Sequence, residues 1–370
     1  MIELNTSEIM LLALLKASLN ETSADVSCFQ EATEKEWEQC YRLAAQHGVM
    51  ALAWDAISTL PPQCQPYDLK IVWALEVEKY ERIFARYCRT IEDLTAFYAK
   101  EGIATIQMKG VGLATYYPIP SHREGGDIDI YTFSADRNQM TDVQANNLAN
   151  ELMAKQGIQV DKHSPKHSNF YFNEIPIENH KSFLNVELYP VAVQVEDLLK
   201  KVIDPQEISL PDSYCHIWIP SPKFNTMFLA FHASQHYGSG LALHHLCDWA
   251  ILLKRHGLSL PDELTDKRFL EAIAAFTQLC NRYLGTSVDI VGGESLADEM
   301  LREILHPKFP HKAGIPVKGK WNILVFKAKR FLYRSRISNH VLYRPLWKRI
   351  WTSVVNHVKR PDTIFQAKVG

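Results

Sequence analysis

The chain has 370 residues, 46% of them hydrophobic and 22% charged, with 40 Lys and Arg against 42 Asp and Glu. That composition excludes a mainly disordered or collagen-like chain, and the length favours two or three structural units with a sizeable core. The net charge of -2 hides an uneven distribution: Lys318 to Gly370 holds 7 Lys, 6 Arg and one acid, Asp362, a net of +12 beside an acidic body of -14.

The predicted elements begin with a helical region over residues 1–101. The apolar run Ile9–Leu15 follows the acids Glu3 and Glu8, so it lacks the positive start of a signal peptide and the length of a membrane span. Thr33 and Glu36 form a capping box for a helix that carries Trp37 and Tyr41 and ends at Gly48. Pro61, Pro62 and Pro66 mark a break. Beyond them Leu69, Trp73, Tyr80, Phe84, Tyr87, Ile91, Leu94 and Tyr98 recur every three or four residues, the spacing of one long amphipathic helix.

At Gly102 the period changes. Ile103–Met108 reads as a strand, followed by Lys109-Gly110-Val111-Gly112, a helical stretch to Tyr117 and the loop 118–126. Asp127-Ile128-Asp129-Ile130-Tyr131 alternates as a strand does. A helix is expected from a Ser134 cap to Lys155. Strands follow at His167–Phe172 and Phe183–Tyr189, with Asn173–Asn179 connecting them. Residues 195–306 read as helical again, with a pair at Asn225–Tyr237 and Leu241–His256. The fold class is therefore α+β: a small mixed-sheet core over 102–194, helical flanks at 1–101 and 195–311, and a basic, aromatic-rich helical tail at 312–370, broken at Pro345.

The chemistry concentrates around Lys109 and Asp127. Residues i and i+2 of a strand share a face, so Asp127 and Asp129 present adjacent carboxylates, an arrangement that calls for a bridging cation. Mg²⁺ suits such a pair because it accepts carboxylate oxygens and completes its shell with phosphates. The glycines at 110 and 112 let backbone N–H groups approach a phosphate, and Lys109 adds a point charge.

Lys109-Gly110, Tyr117-Pro118-Ile119-Pro120 with Arg123, and Gly126-Asp127-Ile128-Asp129-Ile130 resemble an uncharacterised bacterial nucleotidyltransferase-like family of the DNA polymerase beta superfamily. The likeness extends more weakly from about Trp37 to about Leu253. It implies transfer of a nucleoside monophosphate from an NTP to an acceptor hydroxyl, with two Mg²⁺ ions held by Asp127, Asp129 and a third carboxylate on a later strand. Glu187 is the expected third ligand and Glu178 its rival. In the superfamily that acid is often followed two residues later by histidine, whereas Tyr189 stands there after Glu187. Lys109, Gly110, Gly112, Arg123 and Gly126 would face the nucleotide. A non-catalytic nucleotide-binding or scaffold member and a toxin-like RNA-modifying enzyme are the alternatives of the same fold.

His232 and His236, four apart on a helix, either line the cleft or bind zinc with Asp248 as a third ligand. His163 and His167 flank Pro165 and read as surface or acceptor-side groups. The seven cysteines form no C-x-x-C pair, the pattern of reduced thiols in the cytoplasm, and the basic tail adds the expectation of peripheral attachment at the inner membrane surface. The partners expected are an NTP, an acceptor of open class (sugar, small molecule, protein or RNA), and an anionic membrane surface or nucleic acid at the tail 318–370. Docking of the tail on the acidic body is the competing reading.

Overall fold

The computed structural model describes residues 3–136, 138–209, 216–309 and 317–359. Helices α1 (Thr6–Asn20), α2 (Glu34–Gln46), α3 (Met50–Ile57) and the long α4 (Lys70–Ala99) form the first region. α2 starts at the capping box: Thr33 Oγ1 accepts from the Glu36 N–H and Glu36 Oε2 accepts from the Thr33 N–H. Trp73, Ile91, Leu94 and Tyr98 of α4 are buried, as their spacing requires.

The elements that follow are β1 (Ile103–Gln107), the single turn α5 (Val111–Ala114), β2 (Ile128–Ser134), α6 (Asp142–Lys155), β3 (His167–Phe172), β4 (Ile175–His180), α7 (Pro190–Val202), β5 (Gln206–Ser209) and β6 (His216–Ile219). They build one mixed sheet in the order β3-β4-β2-β1-β6-β5, with β2 parallel to β4 and β1 parallel to β6. Helices α8 (Pro222–His236), α9 (Leu243–His256), α10 (Lys267–Tyr283), α11 (Glu294–Leu305), α12 (Lys320–Val341) and α13 (Leu346–Lys359) complete the α+β fold. Among the described residues no helix is long and apolar enough to cross a membrane. Residues 312–316 and 360–370 of the basic tail lie outside those described.

One face of the sheet packs Ile128, Ile130, Phe170, Ile175, Ile177, Ile217 and Ile219 against Ile91, Leu94 and Tyr98 of α4 and Ala145, Ala149 and Met153 of α6. Full burial of each isoleucine is worth about 2–3 kcal/mol. Because side chains alternate, seating Ile128, Ile130 and Ile177 in that core sends Asp129, Glu178 and His180 to the opposite face. The site is a by-product of where the isoleucines go.

Three expectations need correction. Ser134 does not cap a helix: it ends β2, its hydroxyl donating to Asp136 O, and α6 starts at Thr141, which forms its own capping box with Gln144. Phe183–Tyr189 is not a strand. Its Phe183 and Leu184 N–H groups donate to the Glu196 carboxylate of α7 at 3.3 and 2.8 Å, so they are unavailable to a ladder. The next strand is β4, inside the expected connection, joined to β3 by a two-residue turn with positive φ at Asn173 and Glu174. Finally, the stretch after 194 is not all helical. β5 and β6 extend the sheet, with Ile217 and Ile219 inward and Trp218 opposite Ile106 of β1.

Candidate active site

The turn after β1 is shaped by glycine. Gly110 has φ +54°, a region costly for any residue with a Cβ, and such an atom would lie 3.4 Å from the Asp127 carbonyl. At Gly112 a Cβ would sit 2.7 Å from Gln107 O and 3.1 Å from Ile219 Cγ2, so this glycine lets α5 pack against the ends of β1 and β6. Gly126, by contrast, borders open space.

Three carboxylates converge beside this turn. Asp129 and Glu178 are Cα partners in the parallel β2–β4 ladder, and Asp127 precedes β2. Asp127, Asp129 and Glu178 each offer an oxygen within 4.8 Å of the others. Asp129 is 2% exposed; its Oδ1 lies 3.0 Å from Lys109 Nζ and 3.0 Å from His180 Nε2. Glu178 Oε2 lies 2.6 Å from His167 Nδ1 and 3.4 Å from His180 Nε2. Under the strands, Asn146 Nδ2 donates to Asn179 Oδ1 and to His180 O, and Thr132 Oγ1 donates to Asn179 Oδ1, so β4 is held in register by buried amides.

The electrostatics follow from this packing. Burial pushes the Asp129 carboxyl up, but Lys109 and His180 outweigh it and hold the group well below the usual range. Burial likewise opposes ionisation of Glu178, and its bonds to His167 and His180 reverse the balance, leaving it depressed. Asp127 goes the other way: burial and the neighbouring Asp129 raise it. Lys109, desolvated yet facing Asp129 and Asp127, is raised. Lys166 is lowered, by burial and by the Lys109 charge. The donor set of three carboxylates, clustered beside cationic side chains, fits a hard divalent ion such as Mg²⁺.

Glu187 does not join this cluster. It is exposed in the turn before α7, where its backbone oxygen accepts from Lys348 Nζ at 3.3 Å. Glu178-Asn179-His180 instead supplies the acid followed two residues later by histidine. His167, read as a surface or acceptor-side group, abuts Glu178.

Arg123 also differs from expectation. Its Nε and Nη2 donate to the two Asp248 oxygens at 2.8 and 2.9 Å, and Nη1 donates to Gly110 O at 3.2 Å. Tyr117 Oη donates to Asp248 Oδ1 at 2.6 Å. The guanidinium therefore pins the glycine turn to α9. Its neighbours do similar work. His122 bridges Asp55 of α3 and Glu81 of α4 at 2.5 and 3.0 Å, and Glu124 Oε1 accepts from the Met50 N–H at 2.6 Å. Three successive residues thus fix the loop to α3, α4 and α9.

With Asp248 committed to Arg123, it is not the third member of the histidine group. His232, His236 and His245 bring ring nitrogens within 4.8 Å of one another. His245 Nδ1 accepts from the Ala242 N–H, which leaves the proton on Nε2 in the neutral ring. Burial, reinforced by the Lys109 charge, lowers His232 well below the usual imidazole range.

The family model described as "Uncharacterised nucleotidyltransferase" matches residues 33–285. No curated protein matches the chain. A solved structure titled as an antigenic nucleotidyltransferase-like protein from Paracoccidioides brasiliensis aligns over 58% of this chain and 95% of its own, with 13% identity and a TM-score of 0.34.

Proposed function

The chain belongs to this nucleotidyltransferase family, and on that premise we propose that it is a Mg²⁺-dependent enzyme moving a nucleoside monophosphate from an NTP to an acceptor hydroxyl. The observation that carries the reading is the convergence of Asp127, Asp129 and Glu178 beside the Lys109-Gly110 turn. Asp127, Asp129 and Glu178 would hold the metal, which when bound neutralises phosphate charge and lowers the pKa of the attacking hydroxyl. Glu187, expected in that role from sequence, is replaced in this reading by Glu178.

The protein's own groups divide the remaining work. Lys109 and Lys166 supply positive charge at the phosphates; Gly110 allows the backbone to come close, and Gly112 seats α5 behind it. His180 and His167 fix the Glu178 carboxylate so that its oxygens need not reorganise. Arg123 acts one step back, by holding the Gly110 carbonyl to Asp248.

The test is a panel of the four NTPs labelled at the α-phosphate, incubated with Mg²⁺, the protein and cell extract. Label should move to one acceptor class with the wild type and stay on NTP with Asp129→Asn. Label transfer of equal extent by that variant would refute the proposal.

A further inference from the structure

The helix α13 is seated the wrong way round for a water-exposed element. Lys348, Arg349 and Thr352 turn inward: Arg349 Nη2 donates to Asn339 Oδ1 at 2.8 Å, Arg344 Nη2 donates to Thr352 Oγ1 at 2.6 Å, and Lys348 Nζ donates to Glu187 O at 3.3 Å. Apart from the half-buried Val355, its apolar side chains face out. Leu346, Ile350, Val354 and Val358 form one i, i+4 row and Trp347 and Trp351 another, with exposures from 47% to 74%. An amphipathic helix ordinarily buries that stripe and solvates the rest. The tail therefore does not bury this face on the acidic body, although its charge would favour that contact.

The surroundings narrow what can cover it. Residues 320–359 contain five Lys, five Arg and no acid. On α12, Trp321 and Leu332 are 75% and 57% exposed, with Lys329 and Arg336 also exposed between and beyond them. A second copy of the helix would bring like charges together. Nucleic acid would satisfy the cations and could stack on Trp347 and Trp351, but it offers nothing to a row of Leu, Ile and two Val. An anionic bilayer surface meets both needs, with acyl chains for the stripe and headgroups for the cations. At 14 residues the helix is about 21 Å long, short of the roughly 30 Å hydrocarbon core, so it would lie in the plane of the interface.

We propose that α13 docks this enzyme on an anionic lipid surface through Leu346, Trp347, Ile350, Trp351, Val354 and Val358, with tail lysines and arginines engaging the headgroups. Membrane binding is read without NTP, so the proposal stands or falls separately from the transferase reading. The experiment is co-sedimentation of the full chain with phosphatidylcholine vesicles that do or do not contain about one third phosphatidylglycerol. The wild type should sediment with the anionic vesicles and be released by salt. Trp347→Glu/Trp351→Glu should weaken binding at least about 10-fold, while Val143→Glu, at a 70% exposed position on α6, should not. Quenching of tryptophan fluorescence by brominated acyl chains in the wild type serves as a second readout if the double variant unfolds. The proposal is overturned if the wild type ignores anionic vesicles or the double variant binds as the wild type does. It is equally overturned if the double variant's main effect is to dissociate a dimer or release single-stranded RNA.

Discussion

Asp129 and Glu178 are direct Cα partners across the parallel β2–β4 ladder, yet their carboxylates are not balanced alike. Asp129 shares Lys109 and His180, whereas Glu178 relies on His180 and His167. Each acid has one neighbour the other lacks, Lys109 for Asp129 and His167 for Glu178, and a substitution at one is not equivalent to a substitution at the other.

The contrast between Glu178 and Glu187 gives the first prediction. Glu178→Gln should lower nucleotidyl transfer on the order of 10³-fold, since a lost metal ligand removes several kcal/mol of transition-state stabilisation. Glu187→Gln, at an exposed turn position, should remain within about twofold of wild type. Single-turnover rates with labelled NTP decide between them. Equal losses in both would remove Glu178 from the site.

Asp127 and Asp129 should also separate, in stability as well as rate. Asp129→Asn leaves buried Lys109 without its closest counter-charge and should cost about 3–5 kcal/mol. Because the Asp129 carboxyl is depressed in the folded state, its stabilising contribution is complete above the ordinary aspartate value near 4 and declines as pH falls below it. The Tm gap between wild type and Asp129→Asn should therefore be constant near neutrality and close in acid. Asp127 is raised, so its ionisation opposes folding as pH rises, and Asp127→Asn should keep or raise the Tm at neutral pH. Thermal melts from acid to neutral pH read both, and a gap that widens in acid contradicts the assignment.

Two glycines that look alike in sequence should behave differently. Gly112→Ala forces a methyl against Gln107 O and Ile219 and should destabilise by about 1–3 kcal/mol while weakening NTP binding. Gly126→Ala meets nothing within 4 Å and should be tolerated. Chemical denaturation and NTP-induced stabilisation of the two variants make the comparison.

Arg123→Ala should act through the fold before it acts on the nucleotide. It abandons buried Asp248, so the loss should be about 3–5 kcal/mol, and a second change, Asp248→Asn, should recover part of it. A double-mutant cycle by urea unfolding measures the coupling. If Arg123→Ala is fully stable and only NTP affinity falls, the guanidinium faces substrate after all.

What the sequence makes legible is periodicity. The capping box at Thr33, the length of α4 and the alternation at Asp127–Tyr131 are each written in local spacing, and each corresponds to an element. Glu178 ranks behind Glu187 in the sequence because Pro176 argues against a strand there, and Asn173 and Glu174 look like ordinary loop. Pro176 is accommodated because it precedes the stretch of β4 that pairs with β2, starting at Ile177. The Arg123–Asp248 pair joins residues 125 apart, and no local rule distinguishes such an arginine from one reaching for phosphate. Likewise, the sequence marks α13 as amphipathic but cannot say which side faces outward.

The pairing of β6 with β1 limits how far the chain can be shortened. β1 lies between β2 and β6, and β6 comes from residues 216–219, beyond the stretch that carries the carboxylates. A chain ending at residue 202 would keep Lys109, Asp127, Asp129 and Glu178, but it would strip one flank of β1. The uncovered strand would then present unpaired N–H and C=O groups beside Ile106, the kind of edge that recruits other chains. Such a fragment should be prone to edge-to-edge association, and the carboxylate site and the histidine-bearing helices should have to be inherited together.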